Sequence, residues 1–346
     1  MSAKSFKKAS LIRVGVVGYG GAFNMGRQHL LEMQKAGMTP FAVAEVDASR
    51  LDVAKIDFPG IETYASVGEM LKKSNVELIV IITPHHTHAP IALQCLKAGR
   101  HVVCEKPLAI TTAEVNAMIA AAKKSGVMLS TYHNRHWDGR IIDAVRRIKK
   151  EQCIGAITRI QCHMHHYGMP GEWWRSSRSI SGGILYDWGV HLLEYSLQLI
   201  DSPITEVSGF SHEGFWAPQT HWKKDTNEDE ASAIVRFKSG QWLHLSVSSI
   251  DAKGSDPWVE ISGTRGNYSF GGEHYQLITS DGTTTRTEKG RHSADEGFQF
   301  YQNVARHLVK GEKLIITGEW SRRPIHILDL AGRSAKQGKS LATQYP

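Results

Sequence analysis

Val14-Gly15-Val16-Val17-Gly18-Tyr19-Gly20-Gly21-Ala22-Phe23-Asn24-Met25-Gly26-Arg27-Gln28-His29 carries a β-branched apolar run into a glycine-rich turn and out into an amphipathic segment. A strand that feeds a helix through such a turn aims the helix's leading amides at a pyrophosphate. In that reading Gly18 allows the tight turn and Gly20 lets the backbone approach the phosphates. A later glycine lets helix and strand pack closely. Counted strictly from Gly18, the third glycine should fall at position 23, which is Phe23. Gly26 fits instead if the turn carries three extra residues, Ala22 to Asn24 among them. The expected cofactor contacts are Gly18, Gly20, Gly21, Ala22, Phe23, Asn24 and Met25. The rival reading is a glycine-rich surface turn.

Phe41-Ala42-Val43-Ala44-Glu45-Val46-Asp47 reads as the next strand, closing on an acidic residue. Dinucleotide-binding folds place an acid roughly twenty residues beyond the fingerprint, on a ribose hydroxyl, and Asp47 lies near that distance from Gly26. A carboxylate there repels the 2′-phosphate of NADP, so NAD is the expected cofactor. Arg50 stands close enough to soften the preference.

A chain of 346 residues is long for one core, so two domains are expected. Hydrophobic residues at 41% and charged residues at 22% describe an ordinary globular chain. The formal charge of +7 is spread along the sequence and not gathered in arms, which argues against a nucleic-acid partner. Met1 to Leu11 carry lysines with no long apolar stretch behind them, and no later run is long enough to span a bilayer. Neither export nor a membrane is expected. Cys95, Cys104, Cys153 and Cys162 show no paired spacing and read as reduced thiols of a cytoplasmic protein.

Helices and strands alternate after Asp47: helices over Ser49 to Ile56 and Ser66 to Lys73, then Glu77 to Ile82, an apolar run suited to a parallel strand buried on both faces. A helix over Ala89 to Ala98, a strand over His101 to Glu105, a helix over Thr111 to Ser125 and a strand over Val127 to His133 complete the pattern. The expectation is an α/β doubly wound parallel sheet over 1–133. From Asn134 the grammar changes. One helix, Asp138 to Lys150, leads into strand-like runs at Ala156 to Tyr167, Ile204 to Gly214, Ala231 to Phe237, Gln241 to Ser249, Val259 to Ser262 and Tyr275 to Thr279. Lys238-Ser239-Gly240 and Ser280-Asp281-Gly282 are hairpin turns. Helices are expected at Gly183 to Ile200, Ser293 to Lys310 and Glu319 to Lys336, the last able to pack back on the first domain. The second domain, 134–346, is thus an open, mostly antiparallel mixed sheet, with a broad face left for another subunit.

Three motifs stand in order: the glycine turn, Glu105-Lys106-Pro107, and Gly182-Gly183-Ile184-Leu185-Tyr186-Asp187-Trp188-Gly189-Val190-His191. Together they resemble the Gfo/Idh/MocA family of nicotinamide-dependent sugar oxidoreductases, along most of the chain. The resemblance implies a Rossmann domain followed by an open mixed sheet, with the substrate between them. It also implies a homodimer or homotetramer built on the sheet face.

Lys106 is held by the stiff backbone of the following proline, and its ammonium suits the charge that grows on a reacting oxygen. The bland reading is a surface lysine paired with Glu105; the resemblance favours catalysis. Glu105 is expected to touch the cofactor or to orient Lys106. Asp187 and His191 lie four apart in the expected helix and so share a face. A carboxylate there raises the proton affinity of the imidazole and fixes its orientation. The alternative is an Asp–His pair that satisfies only itself. The resemblance makes lysine, aspartate and histidine the catalytic set: His191 as base, Asp187 on substrate hydroxyls or on the imidazole, Lys106 as electrostatic partner.

Thr83-Pro84-His85-His86-Thr87-His88 is similar to the family's Thr-Pro-Asn-x-x-His, which lines the cofactor, with His85 where asparagine is usual. Thr83, Pro84, His85 and His88 are therefore expected cofactor contacts. This cluster and Cys162-His163-Met164-His165-His166 have a rival reading as metal sites, but no fourth ligand sits at a diagnostic spacing, and no metal is expected. Asn134 and Arg135 after the last Rossmann strand, with Trp173, Trp174 and Arg175 ahead of the catalytic segment, offer an aromatic platform and donors suited to a sugar. The rival for the tryptophans is core or subunit packing. Arg178 and His165 are further substrate candidates. The reading is an NAD-dependent dehydrogenase of a sugar, polyol or glycoside. The alternatives are a redox-neutral enzyme that retains its NAD, a non-catalytic dinucleotide sensor, and a reductase of a non-sugar such as a biliverdin.

Overall fold

The computed structural model describes residues 6–343 and 345; the first five residues of the lysine-bearing start lie outside the described residues. The chain divides into two compact units. The first gathers the chain up to Asn134 with Phe298–Arg323, and the second holds Arg135–Gly297 and the chain from Pro324 onward.

The first unit alternates strands β1 (Arg13–Val17), β2 (Thr39–Ala44), β3 (Glu62–Tyr64), β4 (Leu78–Ile81), β5 (His101–Cys104) and β6 (Leu129–Thr131) with helices. The helices are α1 (Met25–Lys35), α2 (Ala48–Asp57), α3 (Val67–Lys73), α4 (His88–Lys97) and α5 (Thr112–Ser125). All six strands pair in parallel in the order β3-β2-β1-β4-β5-β6, the doubly wound order with its switch point between β1 and β4. Val80 and Ile81 of β4 and Val102 and Val103 of β5 are fully buried, as strands covered on both faces require. Helix boundaries follow local chemistry. Thr111 and Glu114 form a reciprocal capping box at the start of α5, and Gly126, at φ +64°, stops it.

The second unit opens with α6 (Gly139–Val145), capped by Asp138, which runs on as a π-turn over Arg146–Lys150. Then come β7 (Ile157–His165), the short α7 (Arg178–Ser181) and α8 (Gly189–Leu197). Strands β8 (Ile204–His212), β9 (Glu230–Phe237), β10 (Trp242–Ser248), β11 (Val259–Gly263), β12 (Gly266–Phe270), β13 (His274–Ser280) and β14 (Thr285–Arg291) follow. After α9 (Gln299–Lys310), which belongs to the first unit, the chain enters α10 (Gly318–Gln337) and ends in β15 (Leu341–Ala342). The sheet order is β14-β13-β12-β11-β7-β10-β9-β8-β15, antiparallel except between β7 and β10. Every residue of α8 is buried, and the helix packs on β7 and β10.

Four expectations need correction. Asp47 is not on a strand: β2 ends at Ala44, and Asp47 is the N-cap of α2. The helix expected over Gly183 to Ile200 is a single 3-10 turn, Ile184–Tyr186, followed by α8; Gly182 and Gly183, at φ +94° and +121°, hold the chain out of helix ahead of that turn. Residues 293–297 are not helical. Asp143 accepts the backbone amide of Ser293 at 2.7 Å and its hydroxyl at 2.9 Å, while Asp295 accepts the Gly139 amide at 2.8 Å, which pins an irregular path. Strands β12 and β14 escaped the sequence reading. The first is broken up by glycine and asparagine, and the second is a charged, exposed edge without apolar alternation.

Candidate active site

In the first unit the glycine turn leaves β1 at the switch point. Gly18 has φ +100°, and a Cβ there would lie 2.4 Å from the Ile82 carbonyl oxygen on the loop after β4. A Cβ on Gly26 would meet the Gly18 carbonyl and the Tyr19 ring, both at 2.7 Å, so Gly26 serves as the close-packing third glycine despite the longer turn. Around Gly20 no heavy atom lies within 4 Å of the Cβ position, leaving the backbone open to a ligand. Asn24, at φ 50°, makes no side-chain cap on α1, so that helix's leading amides suit an anion. These residues fit a dinucleotide pyrophosphate.

Two neighbours brace the turn. Arg50 donates through Nε to the Tyr19 carbonyl at 2.8 Å and through a terminal nitrogen to Asn24 Oδ1 at 3.3 Å. Glu45 accepts the Tyr19 amide at 2.6 Å and, through its other oxygen, the amides of Val46 and Asp47. Glu45 escaped the sequence reading because nothing in its spacing marks a bond to the glycine turn. Asp47 is exposed, and its Oδ1 accepts the Ser49 hydroxyl and amide, bonds that hold the carboxyl below its ordinary range.

Lys106 follows β5, and its bond to Pro107 is cis. Glu105 turns its carboxylate back on the main chain, so that Oε2 accepts the Lys106 amide at 2.9 Å while Oε1 meets His29 Nε2 at 3.1 Å. Burial raises the Glu105 carboxyl, but the His29 hydrogen bond, the Lys106 charge and the Lys106 amide outweigh it, so the group titrates below the ordinary carboxylate range. His88 is fully buried, with Nδ1 2.7 Å from the Pro107 carbonyl oxygen and Nε2 2.8 Å from that of Thr83. It therefore ties the loop after β4 to the lysine loop. Thr83 also accepts the Thr87 hydroxyl at 2.6 Å, and His85, close by Pro84, is buried with its ring 5.7 Å from that of His88.

In the second unit Asp187 closes the 3-10 turn in helical conformation, one turn ahead of His191 in α8. Their four-residue spacing survives although Asp187 lies outside the helix. The His191 ring is buried and packs edge-on at 5.7 Å to Trp188, whose indole lies under the Arg135 guanidinium at 5.1 Å. Arg135 also donates to the Tyr195 hydroxyl and to Asp138, both at 3.3 Å. Asn134 begins the 3-10 turn that carries Arg135. Trp173 and Trp174 lie 6.3 Å apart with Arg175 over both rings, at 5.0 and 5.3 Å. Arg175 also pairs with Asp187 Oδ1 at 3.3 Å.

The two remaining substrate candidates are held by polar and charged neighbours. Arg178 pairs with Glu213 at 3.0 Å and Glu228 at 3.4 Å and donates to the Thr226 carbonyl. His165 lies between Ser246 Oγ, at 2.8 Å, and Asp251, at 3.0 Å. A hydroxyl, imidazole and carboxylate in this order suggest a hydrolase triad. Ser246, however, sits in mid-strand, paired with β7 on one side and β9 on the other, a position that offers no oxyanion-binding amides. Among the described residues no group of three or more His, Cys, Asp or Glu is arranged to hold a metal ion, and no helix is long and apolar enough to cross a membrane.

A family model described as "Oxidoreductase family, NAD-binding Rossmann fold" matches residues 12–133, and the "GFO/IDH/MocA C-terminal domain" model matches residues 142–269. Among curated relatives, the scyllo-inositol 2-dehydrogenase (NADP(+)) of Bacillus subtilis is 26% identical over 358 residues, covering 99% of each chain. The myo-inositol 2-dehydrogenase of Thermotoga maritima is 26% identical, covering 74% of each. In fold, the chain is similar to a levoglucosan dehydrogenase solved with NADH and levoglucosan, at a TM-score of 0.82 and 20% identity, over 96% of this chain and 99% of that one. Two models matched in sequence order, on a chain folded this way, make the protein a member of the Gfo/Idh/MocA family of nicotinamide-dependent sugar oxidoreductases.

Proposed function

We propose that the protein is an NAD-dependent dehydrogenase that oxidises a ring hydroxyl of a sugar, polyol or glycoside, with Lys106, Asp187 and His191 as its catalytic set. The observation that carries this reading is that two of the three groups are individually braced: a carboxylate lies under the Lys106 amide, and an arginine pairs with the Asp187 that precedes His191 by one turn. Gly18 to Met25, Asp47, Arg50, the Thr83–His88 loop and the Glu105–Lys106 pair form the cofactor side. NAD, when bound, supplies the hydride acceptor.

The chain's own residues do the rest. His191 takes the hydroxyl proton, which contributes about 10²–10⁴-fold for a well-placed general base. Asp187, steadied by Arg175, binds the neighbouring substrate hydroxyls or orients the imidazole. The Lys106 ammonium stabilises negative charge growing on the reacting oxygen. Trp173 and Trp174 offer flat faces to sugar C–H groups, and Arg175, Asn134 and Arg135 supply donors. Asp47 selects NAD because a 2′-phosphate would face its ionised carboxylate; Arg50, committed to the glycine turn, does little to reverse that. The open sheet of the second unit serves homodimer or homotetramer contact, and the four unpaired thiols suit a cytoplasmic protein.

The test is NADH absorbance with added NAD across inositols, aldoses and anhydrosugars, with product analysis in parallel. NADH produced with one substrate class supports the reading. Substrate conversion without net NADH replaces it with a redox-neutral enzyme, and NAD binding with no conversion replaces it with a sensor.

A further inference from the structure

The seat of Lys106 extends beyond Glu105 into a buried chain of hydrogen bonds that begins far away in sequence. His29 is fully buried on α1, one turn beyond Gly26. Its Nδ1 lies 2.6 Å from the Tyr301 hydroxyl on α9, a residue 272 positions away. The Glu105 carboxylate facing Nε2 can only accept, so in the neutral ring Nδ1 is the acceptor of the Tyr301 hydroxyl, which burial keeps protonated. The imidazole proton thus sits on Nε2, facing Glu105 Oε1, and the other Glu105 oxygen receives the Lys106 amide. Tyr132 closes the cage. Its ring stacks on Tyr301 at 5.6 Å and meets His29 edge-on at 4.4 Å, while its hydroxyl donates to Glu32 at 2.6 Å.

The donations converge on Glu105: Tyr301 gives to His29 and His29 to one carboxylate oxygen, while the Lys106 amide gives to the other. The helix that carries His29 is also the one that opens at the glycine turn. We propose that His29 is a positioning residue: through Glu105 it fixes the backbone of Lys106, so that the lysine is registered to the helix whose N-terminus receives the cofactor. This rests on the reading of Lys106 as the reacting lysine. His29 itself touches no substrate.

The test compares His29→Phe, which keeps a ring but no donor, with His29→Gln, whose amide nitrogen replaces the Nε2 donor. Tyr301→Phe is the mildest change, removing only the hydroxyl that donates to Nδ1. Two readouts are taken: amide hydrogen exchange of peptides spanning residues 104–108 without substrate, and kcat, KM and NAD affinity. His29→Phe is expected to speed exchange at the Lys106 amide and to lower kcat at least about tenfold, with NAD affinity within about threefold. His29→Gln restores both, and Tyr301→Phe falls between.

Unchanged exchange and kcat in a folded His29→Phe protein overturn the proposal. So does equal damage from Phe and Gln, which reduces His29 to packing. Should His29→Phe not fold, unchanged exchange and kcat in Tyr301→Phe overturn it equally. Full turnover in Lys106→Ala instead overturns the catalytic reading, while the exchange experiment still decides whether His29 holds the Lys106 backbone.

Discussion

Lys106 and Asp187 are fixed by opposite means. The lysine's backbone hangs from a carboxylate that is 15% exposed, itself held by a fully buried histidine, with a second buried histidine on the carbonyl of the following proline. Asp187 is 37% exposed, at the joint between a 3-10 turn and α8, and it meets an arginine that is itself 26% exposed and shared with two tryptophans. Buried, fully bonded polar groups act as a unit and resist rearrangement. Exposed ion pairs are worth little to stability and rearrange readily. The lysine's place is thus a property of the fold, whereas the aspartate's can adjust to what binds.

Substitutions that remove the chemistry itself test both sides at once and have the largest effect. Lys106→Ala and His191→Ala should each lower kcat/KM by about 10²–10⁴-fold while NAD affinity, read by fluorescence titration, changes little. Next come changes that break the rigid side. Gly18→Ala places a Cβ 2.4 Å from the Ile82 carbonyl oxygen at φ +100°, and should cost about 1–3 kcal/mol in urea unfolding together with NAD binding.

Glu105 gives the same rigid side a pH signature. Its folded carboxyl titrates below the unfolded value of 4.5. Its stabilising contribution is therefore complete above 4.5 and disappears as the pH falls through the lower folded value. The stability gap between wild type and Glu105→Gln should close over that window; a constant gap would count against an ionised Glu105.

Arg175→Ala tests the adjustable side. It should change unfolding stability by no more than about 1 kcal/mol, yet raise the substrate KM more than it lowers kcat. A loss of stability as large as that of Gly18→Ala would erase the contrast. The smallest effect is expected of Asp47→Ser, which keeps a capping oxygen for α2. It should leave unfolding and NAD turnover nearly unchanged while narrowing the preference over NADP, read as the ratio of kcat/KM values.

Legibility in the sequence divides along the same line. The glycine turn, Lys106-Pro107 and the Asp187–His191 spacing were readable because each is local: a turn, a dipeptide and a helical repeat leave marks a few residues long. His29, Tyr301 and Glu45 were not, because their bonds reach residues 26 to 272 positions away. No local period records such a bond. Asp187 lies outside the helix that its spacing to His191 predicts, at the end of a 3-10 turn that two glycines at positive φ precede. A Cβ on Gly189, the first residue of α8, would press on Leu245 of β10 at 3.2 Å. The acidic partners of Arg178, Glu213 and Glu228, come from a distant loop and leave no local mark either.

Tyr301 also has a consequence for the order in which the protein is made. The ribosome releases Glu105 and Lys106 long before α9 exists, so the hydroxyl that orients His29 arrives after β1–β14 have been synthesised. The Rossmann half cannot finish its own interior as it emerges; it waits for a segment that follows the whole mixed sheet up to β14. A chain cut short before Phe298 would carry every glycine of the turn together with Lys106, Asp187 and His191, and still lack the last hydrogen bond beneath its lysine.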